Sequence, residues 1–340
     1  PPCGAMRGFG AVQACFAYES QMDRLAHELG MHPVDLRIKN SMSQGSRIIT
    51  GQEIDMPLPM AEMLARAKAL PLPPARQDLP DPADLRTLPG GVAGTTHGEG
   101  VVRGVGYGVG LKNLCFSEGF DDYSTARVRL EVVNGEPVAL VHTAAAEVGQ
   151  GLVTIKGQIA RSELGVEKVV IAPSDTSVGS AGSSSASRQT YMTGGAVRTA
   201  CLAVREELYT LARERGHVPA SLDDEDLTLT GGKLVSRTLG ALVSLTDLLA
   251  DGTVVEQTRE YHHRPTEMLD PTLGQGSSHT QFGMCVHRAV VDVDIELGLV
   301  KVIALDAVQD VGKIMHPLQL IGQIQGGSTQ GLGLALMEEI

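Results

Sequence analysis

The sequence contains no tryptophan, and aromatic residues make up only 3% of it. A chain so poor in rings offers no stacking platform for nucleic-acid bases. It also lacks an excess of positive charge. Forty Asp and Glu against 28 Lys and Arg give a net charge of −12, which argues against a nucleic-acid partner or an anionic membrane surface. No run of 18 apolar residues is present, so no membrane-spanning helix is expected. The opening Pro1-Pro2-Cys3 carries no signal-peptide pattern. Together with an end, Met337-Glu338-Glu339-Ile340, in mid-helical pattern, it reads as a fragment. The five cysteines, Cys3, Cys15, Cys115, Cys201 and Cys285, are odd in number and widely spaced, with no Cys-x-x-Cys. That excludes neither oxidation nor metal chemistry outright, but it fits reduced, mostly buried thiols in a cytoplasmic protein best. Several familiar motifs are missing too. There is no P-loop, no G-x-S-x-G and no H-E-x-x-H. The alternating glycines of Gly104 to Gly110 do not form G-x-G-x-x-G.

What the chain has in quantity is glycine, 40 of 340 residues, well above the roughly 7% average. Glycine excess without aromatics points to backbone that approaches something closely. Helical spacing of Val12, Cys15, Phe16, Met22, Leu25 and Leu29 predicts a helix over 11–29, capped by Gly30. Glu19 interrupts its apolar stripe; it is either a tolerated edge position or a buried acid paired with a base such as Arg37. Pro33 can open a second short helix through Leu36 to Asn40. Six prolines crowd 71–90, which predicts a semi-rigid linker and a domain boundary. Beyond it the pattern turns β-rich. Thr125–Val133 and Val138–Thr143 flank Asn134-Gly135, a hairpin with a type I′ turn. A second hairpin is expected over Arg288–Ile295 and Val300–Ala307, turning near Gly298. Asp294-Ile295-Glu296 reads as its edge, not as a carboxylate dyad. Helices are expected at Leu152–Leu164, Gly194–Arg213 and Leu318–Glu338. Hairpins mixed with helices imply an α+β fold, mixed sheets with packed helices.

Three helix starts share one design, in which small residues lead into unpaired N–H groups and the positive end of a helix dipole. They are Gly149-Gln150-Gly151, the hydroxyl-dense run from Gly179 to Thr190 with its cation Arg188, and Gly322 to Gly327 around Gln323. Together they point to a large polar cofactor bearing phosphate. In Met6-Arg7-Gly8-Phe9-Gly10, the arginine can aim donors at a phosphate or carboxylate. Phe9 is either a core ring or one that faces a ligand. His262-His263 reads as an exposed polar pair.

In order along the chain, these motifs resemble the molybdenum subunit of the xanthine dehydrogenase and aldehyde oxidase family. Arg7-Gly8-Phe9-Gly10 is followed by Glu19, Met22, Asp23, Asp35, Arg37 and Asn40. Then come Glu147-Val148-Gly149-Gln150-Gly151, Ser184-Ser185-Ala186-Ser187-Arg188, and Asp310-Val311-Gly312 leading to Gln323-Ile324-Gln325-Gly326-Gly327. The resemblance implies the aldehyde-oxidase type of molybdenum-cofactor-binding fold. Residues 1–70 would be the trailing part of a first cofactor-binding domain, 71–95 a linker, and 96–340 a second such domain. It implies hydroxylation of an aldehyde or N-heterocycle, purine-like substrates included, with oxygen from water. The cofactor would be a molybdenum pyranopterin, for which bacterial members often use the cytosine dinucleotide form. Iron–sulfur (2Fe-2S) and FAD groups would sit on partner subunits or domains, alongside the remainder of the molybdenum subunit, in a dimer of assemblies. Arg7, Gly8, Gly149, Gln150, Gly151, Ser185, Ala186, Ser187, Arg188, Gln189 and Gln323 would hold the cofactor. Phe9, Leu111 and Lys112 would face substrate, with a leucine where purine-oxidising members place a second aromatic. No side chain would ligate the metal, and the catalytic base would lie C-terminal to this chain, which alone would be inactive. The alternative is a non-catalytic relative that keeps the fold as a binding or assembly module.

Overall fold

The structure, a computed structural model, describes residues 6–91 and 96–338. In chain order the first elements are α1 (Ala11–Glu28), α2 (Pro33–Lys39), α3 (Met60–Ala69), β1 (Val101–Leu114), β2 (Tyr123–Val133) and β3 (Glu136–Thr143). Then come α4 (Leu152–Leu164), β4 (Lys168–Ile171), α5 (Gln189–Glu214), β5 (Leu227–Thr230), β6 (Lys233–Ser236) and β7 (Gly240–Ser244). The last are α6 (Leu245–Leu248), β8 (Val255–His262), β9 (Gln281–Asp294), β10 (Leu299–Asp310) and α7 (Pro317–Leu336). They form two compact units, 1–113 with 281–340, and 114–280.

In the first unit, β9 runs between β1 and β10. β9 and β10 form the expected hairpin, longer than the sequence suggested, and Gly298 supplies its positive φ of 67°. The alternating glycines lie in β1, an element the sequence reading left unassigned. A Cβ on Gly110 would lie 2.7 Å from the Cys285 sulfur of β9. Glycine therefore keeps one face of β1 low, while Tyr107, Val109 and Leu111 reach the core from the other. That core joins Val34 of α2 and Met60, Met63, Leu64 and Ala67 of α3 to Phe282, Met284 and Val286 of β9.

Helix α1 covers the edge of β1. Glu19 accepts the Val109 N–H at 2.9 Å, and the Cys15 thiol meets the Val109 carbonyl at 3.5 Å. Glu19 also takes the Arg37 guanidinium at 2.8 Å, and Arg37 is 3% exposed. The buried-acid alternative for Glu19 is the one the fold adopts.

The proline-rich segment is strapped down instead of spanning freely. Arg288 bridges Asp306 of β10 to the carbonyls of Leu70 and Pro71, at 2.9, 2.6 and 3.0 Å. Arg103 bridges Asp292 to the carbonyls of Pro73 and Pro74, at 2.8, 2.9 and 2.8 Å. Prolines donate no N–H, so their carbonyls have no ladder to join, and a guanidinium fork satisfies them.

In the second unit the sheet order is β4-β3-β2-β8. β2 and β3 turn through Asn134 and Gly135, at φ 53° and 80°, as a type I′ hairpin requires. β4 pairs parallel to β3 after the α4 crossover. Helix α5 buries Met192, Ala196, Val197, Ala200, Val204 and Leu208, a stripe of helical period, and starts five residues earlier than the sequence suggested. Its Cys201 is buried, and burial pushes that thiol up to about 12, so it stays protonated at neutral pH. Cys115 is buried and Cys15 and Cys285 are half-buried, none of them in a disulfide; Cys3 lies outside the described residues. Strands β5-β6-β7 form a small sheet in the stretch the sequence left unread.

Releasing the strap tests its anchoring. Arg288→Ala removes charge-assisted bonds of roughly 1.5–3 kcal/mol each. Limited proteolysis within 71–91 should then accelerate by at least about tenfold through local opening. Unchanged cleavage there would show that the arginine does not hold the strap.

Candidate functional site

The first unit brings together two motifs separated by 316 residues. Gly8, Phe9 and Gly10 run at φ 104°, 49° and 87° into α1, and this turn lies on α7. Arg7 donates to the Gln323 carbonyl at 3.0 Å, and the Gln330 amide donates to the Arg7 carbonyl at 3.0 Å. A Cβ on Gly326 or Gly327 would stand 3.5 Å from the guanidinium, so a larger side chain there would lift the arginine off the helix. Phe9 is 66% exposed; the core alternative for its ring falls away. Leu111 is partly buried and packs against the apolar core behind β1. Lys112 is exposed, its ammonium on the Asn113 carbonyl at 2.7 Å.

The second unit holds the other two loops. Leu152, at the start of α4, and Ala181, at the start of the serine loop, pack in one small cluster with Ala145, which makes the loops neighbours. The donors of the first loop are already engaged. Glu147 accepts N–H bonds from Gly149 at 2.8 Å, Gly151 at 3.0 Å and Val153 at 2.9 Å. Gln150 folds back on its own loop, accepting from the Val148 N–H at 2.7 Å and donating to the Ala146 carbonyl at 3.0 Å. The expected anion seat at this helix start is therefore filled by the chain's own carboxylate. Partial burial works against the Glu147 charge. The three N–H groups and the nearby Lys156 ammonium overcome it and hold the carboxyl below its ordinary value. Lys156, buried beneath with its Nζ 3.2 Å from the Thr143 hydroxyl, is itself pushed down by burial.

The serine loop leaves its outer face exposed. Ala186 and Ser187 are left-handed, at φ 54° and 51°, and Arg188 follows at φ −100°, ψ −22°. A left-handed residue followed by a right-handed one turns successive N–H groups into a concavity that fits an anion. No side chain caps the following helix α5, whose positive end adds to that field. Ser184, Ser187 and Thr190 are exposed, and Ser185 takes the Ser183 hydroxyl at 2.8 Å. Two expected ligands turn inward instead. Arg188 is fully buried and ion-paired to Asp122 at 2.6 Å. Gln189 is buried, donating to the Ser183 carbonyl at 2.9 Å and accepting from the Thr193 hydroxyl at 2.5 Å.

The histidine pair is split. His262 is exposed and bonded to Asp121 at 2.9 Å, whereas His263 is buried. Among the described residues, no three of His, Cys, Asp and Glu converge as a metal site, and no helix is long and apolar enough to cross a membrane. Sequence reasoning missed Asp122, because nothing near it announces a partner 66 residues away. It also missed the capping role of Glu147, although an acid two residues before a glycine turn was a usable signal.

Two measurements check these placements. Phe9→Ala should cost under about 0.5 kcal/mol of stability, as an exposed position does; a core ring would cost about 3–5 kcal/mol. Because Glu147 is depressed in the folded state, its contribution is complete above the ordinary carboxyl value of 4.5 and is lost as pH falls through the folded value. Glu147→Gln should therefore lower the melting temperature at pH 7, by roughly 1 kcal/mol of stability on the scale of helix caps. The gap from wild type should be narrower at pH 3. An equal gap at both pH values would show that the carboxylate charge does not cap the loop.

Comparison with known proteins agrees with this arrangement. Residues 84–340 and 1–41 each match a family described as Molybdopterin cofactor-binding domain. The xanthine dehydrogenase molybdenum-binding subunit of Escherichia coli O157:H7 is 30% identical over all of this chain and 42% of its own length. The aldehyde oxidoreductase of Megalodesulfovibrio gigas is 30% identical over 98% of this chain and 32% of its own length. The solved structure of aldehyde oxidoreductase from Desulfovibrio gigas superposes with a TM-score of 0.72, at 28% identity, over 99% of this chain and 32% of that one. The chain thus spans about two fifths or less of the relatives it matches. With its mixed sheets, packed helices and amide-lined loops, the chain belongs to the molybdopterin cofactor-binding domain family of the xanthine dehydrogenase and aldehyde oxidoreductase molybdenum subunits.

Proposed function

We propose that this chain is the cofactor-binding part of a molybdenum hydroxylase acting on an aldehyde or N-heterocycle. The observation that carries the reading is the amide concavity at Ala186–Arg188, opening beside exposed hydroxyls and the uncapped start of α5. Its donor set fits the phosphate of a pyranopterin, a cytosine dinucleotide included. When bound, that cofactor supplies two-electron oxidation of a substrate carbon with water as the oxygen source. The chain's residues bind and orient. Ser184, Ser187 and the neighbouring N–H groups hold phosphate, and the α5 dipole favours its charge. Arg7 pins the Gly8–Gly10 turn to α7, which leaves Phe9 exposed to contact substrate.

The acids in the motifs are engaged elsewhere: Glu19 with Arg37 and Val109, and Glu147 with three amides. We therefore place the proton-abstracting base outside these 340 residues. The matches over 1–41 and 84–340 support the reading of 1–70 and 96–340 as parts of two cofactor-binding domains. Iron–sulfur and FAD partners, a dimer of assemblies and a cytoplasmic location complete the proposal.

The experiment uses the complete holoenzyme carrying this chain. Ser187→Gly keeps the left-handed backbone and gives up only one hydroxyl contact, so molybdenum and phosphate content should fall by less than about tenfold. Ser187→Pro removes the N–H and imposes φ near −65°. With bonds of roughly 1.5–3 kcal/mol lost, molybdenum and phosphate content should fall at least about tenfold. Full loading of both variants would show that the loop is an ordinary turn, and the absence of molybdenum from the wild-type enzyme would favour the assembly-module reading.

A further inference from the structure

We infer that Asp122 and Arg188 are positioning residues for the phosphate loop, acting through its carbonyls and not on the ligand. This rests on the reading of that loop as the phosphate seat. All five N–H donors of Arg188 are engaged by the protein. Nε and Nη2 grip the two oxygens of Asp122 at 2.8 and 2.6 Å, and Nη2 also meets the Tyr123 carbonyl at 3.0 Å. Nη1 holds the carbonyls of Ala181 and, at 3.0 Å, of Ser183. The guanidinium carbon lies 5.5 Å from the centre of the Phe116 ring. A Cβ on Gly182 would stand 2.9 Å from the guanidinium, so glycine is what lets the loop wrap the arginine this closely.

In a trans peptide the C=O and the following N–H point in opposite directions. Pinning the Ser183 carbonyl inward therefore turns the Ser184 N–H outward. The Ala186 carbonyl is held in the same way by the Cys115 N–H at 2.9 Å, which turns out the Ser187 N–H. The buried pair thus turns the Ser184 amide toward the anion beside the Ser187 amide that Cys115 turns out, although neither charged group reaches the anion.

The test separates positioning from stability. Replacing a buried ion pair with apolar residues of similar volume is often neutral for stability, whereas breaking it by one substitution is not. In the holoenzyme, Asp122→Asn should lower both the melting temperature and the molybdenum and phosphate content. The double variant Asp122→Leu with Arg188→Met should recover the melting temperature. Its cofactor content should stay about tenfold low, the scale on which outer-shell partners act, and its 184–190 amides should exchange hydrogen faster than in wild type. Arg188→Lys keeps the charge but replaces the fork with a point donor. It should keep a melting temperature near that of wild type yet load poorly, which preserves the test if the apolar pair does not fold. Content that follows melting temperature across all variants would overturn the positioning role. Normal loading of the double variant beside a depleted Ser187→Pro would overturn the pair's role alone. Normal loading of Ser187→Pro would remove the phosphate seat and this inference with it.

Discussion

A guanidinium fork shared between carboxylate and backbone carbonyl is the device on which the irregular parts of this chain depend. It recurs at five places. Arg37 joins Glu19 and Asp23 to the carbonyls of Glu19 and Pro33. Arg103 and Arg288 fasten the proline strap to Asp292 and Asp306. Arg188 and Asp122 hold the serine loop, and Arg215 joins Asp251 to the Leu248 carbonyl. The proline strap and the serine loop leave carbonyls that no ladder satisfies, and burying them unpaired would cost about 1–3 kcal/mol apiece. Arginine suits the task because its donors form a planar fork and its charge is permanent.

The consequence for function is that the polar surface offered to a ligand is mostly backbone. Charged side chains that a motif reading assigns to the cofactor lie behind the loops and set their shape. Arg188 is the plainest case, and Glu147 is its mirror image: a carboxylate that takes the amides of its own loop and is charge-balanced by buried Lys156. Backbone donors held from behind keep their geometry when no ligand is present, because their orientation is fixed by bonds that ligand binding does not break.

Glycine carries the complementary role. In β1, Gly110 makes room for the Cys285 sulfur of β9, and at Gly182 glycine admits a guanidinium. Helix α7 is 20 residues long, carries no charge and buries none of its residues within the described chain. An exposed apolar face of that kind marks an interaction surface; the chain spans 42% and 32% of the two relatives' own lengths.

The sequence by itself determined the local structure: α1 and its Gly30 stop, the proline start of α2, the bounds of α4, and the Asn134-Gly135 hairpin. Capping, turn chemistry and periodicity act over a few residues, so they are legible in a few residues. It also carried the ordered motifs from which the family could be read. It missed β1, where alternate glycines leave no side chain to give period two its apolar signal, and α3 and β5–β7, which are short and held by their neighbours. Tertiary structure alone decided what the motif residues do. Whether Glu19 is an edge acid or the partner of Arg37, whether Phe9 is core or exposed, and whether Arg188 faces a phosphate or Asp122 depends on groups between 18 and 316 residues away. Such partners are chosen by packing and by the need to satisfy buried polar groups, and neither leaves a local mark in the sequence.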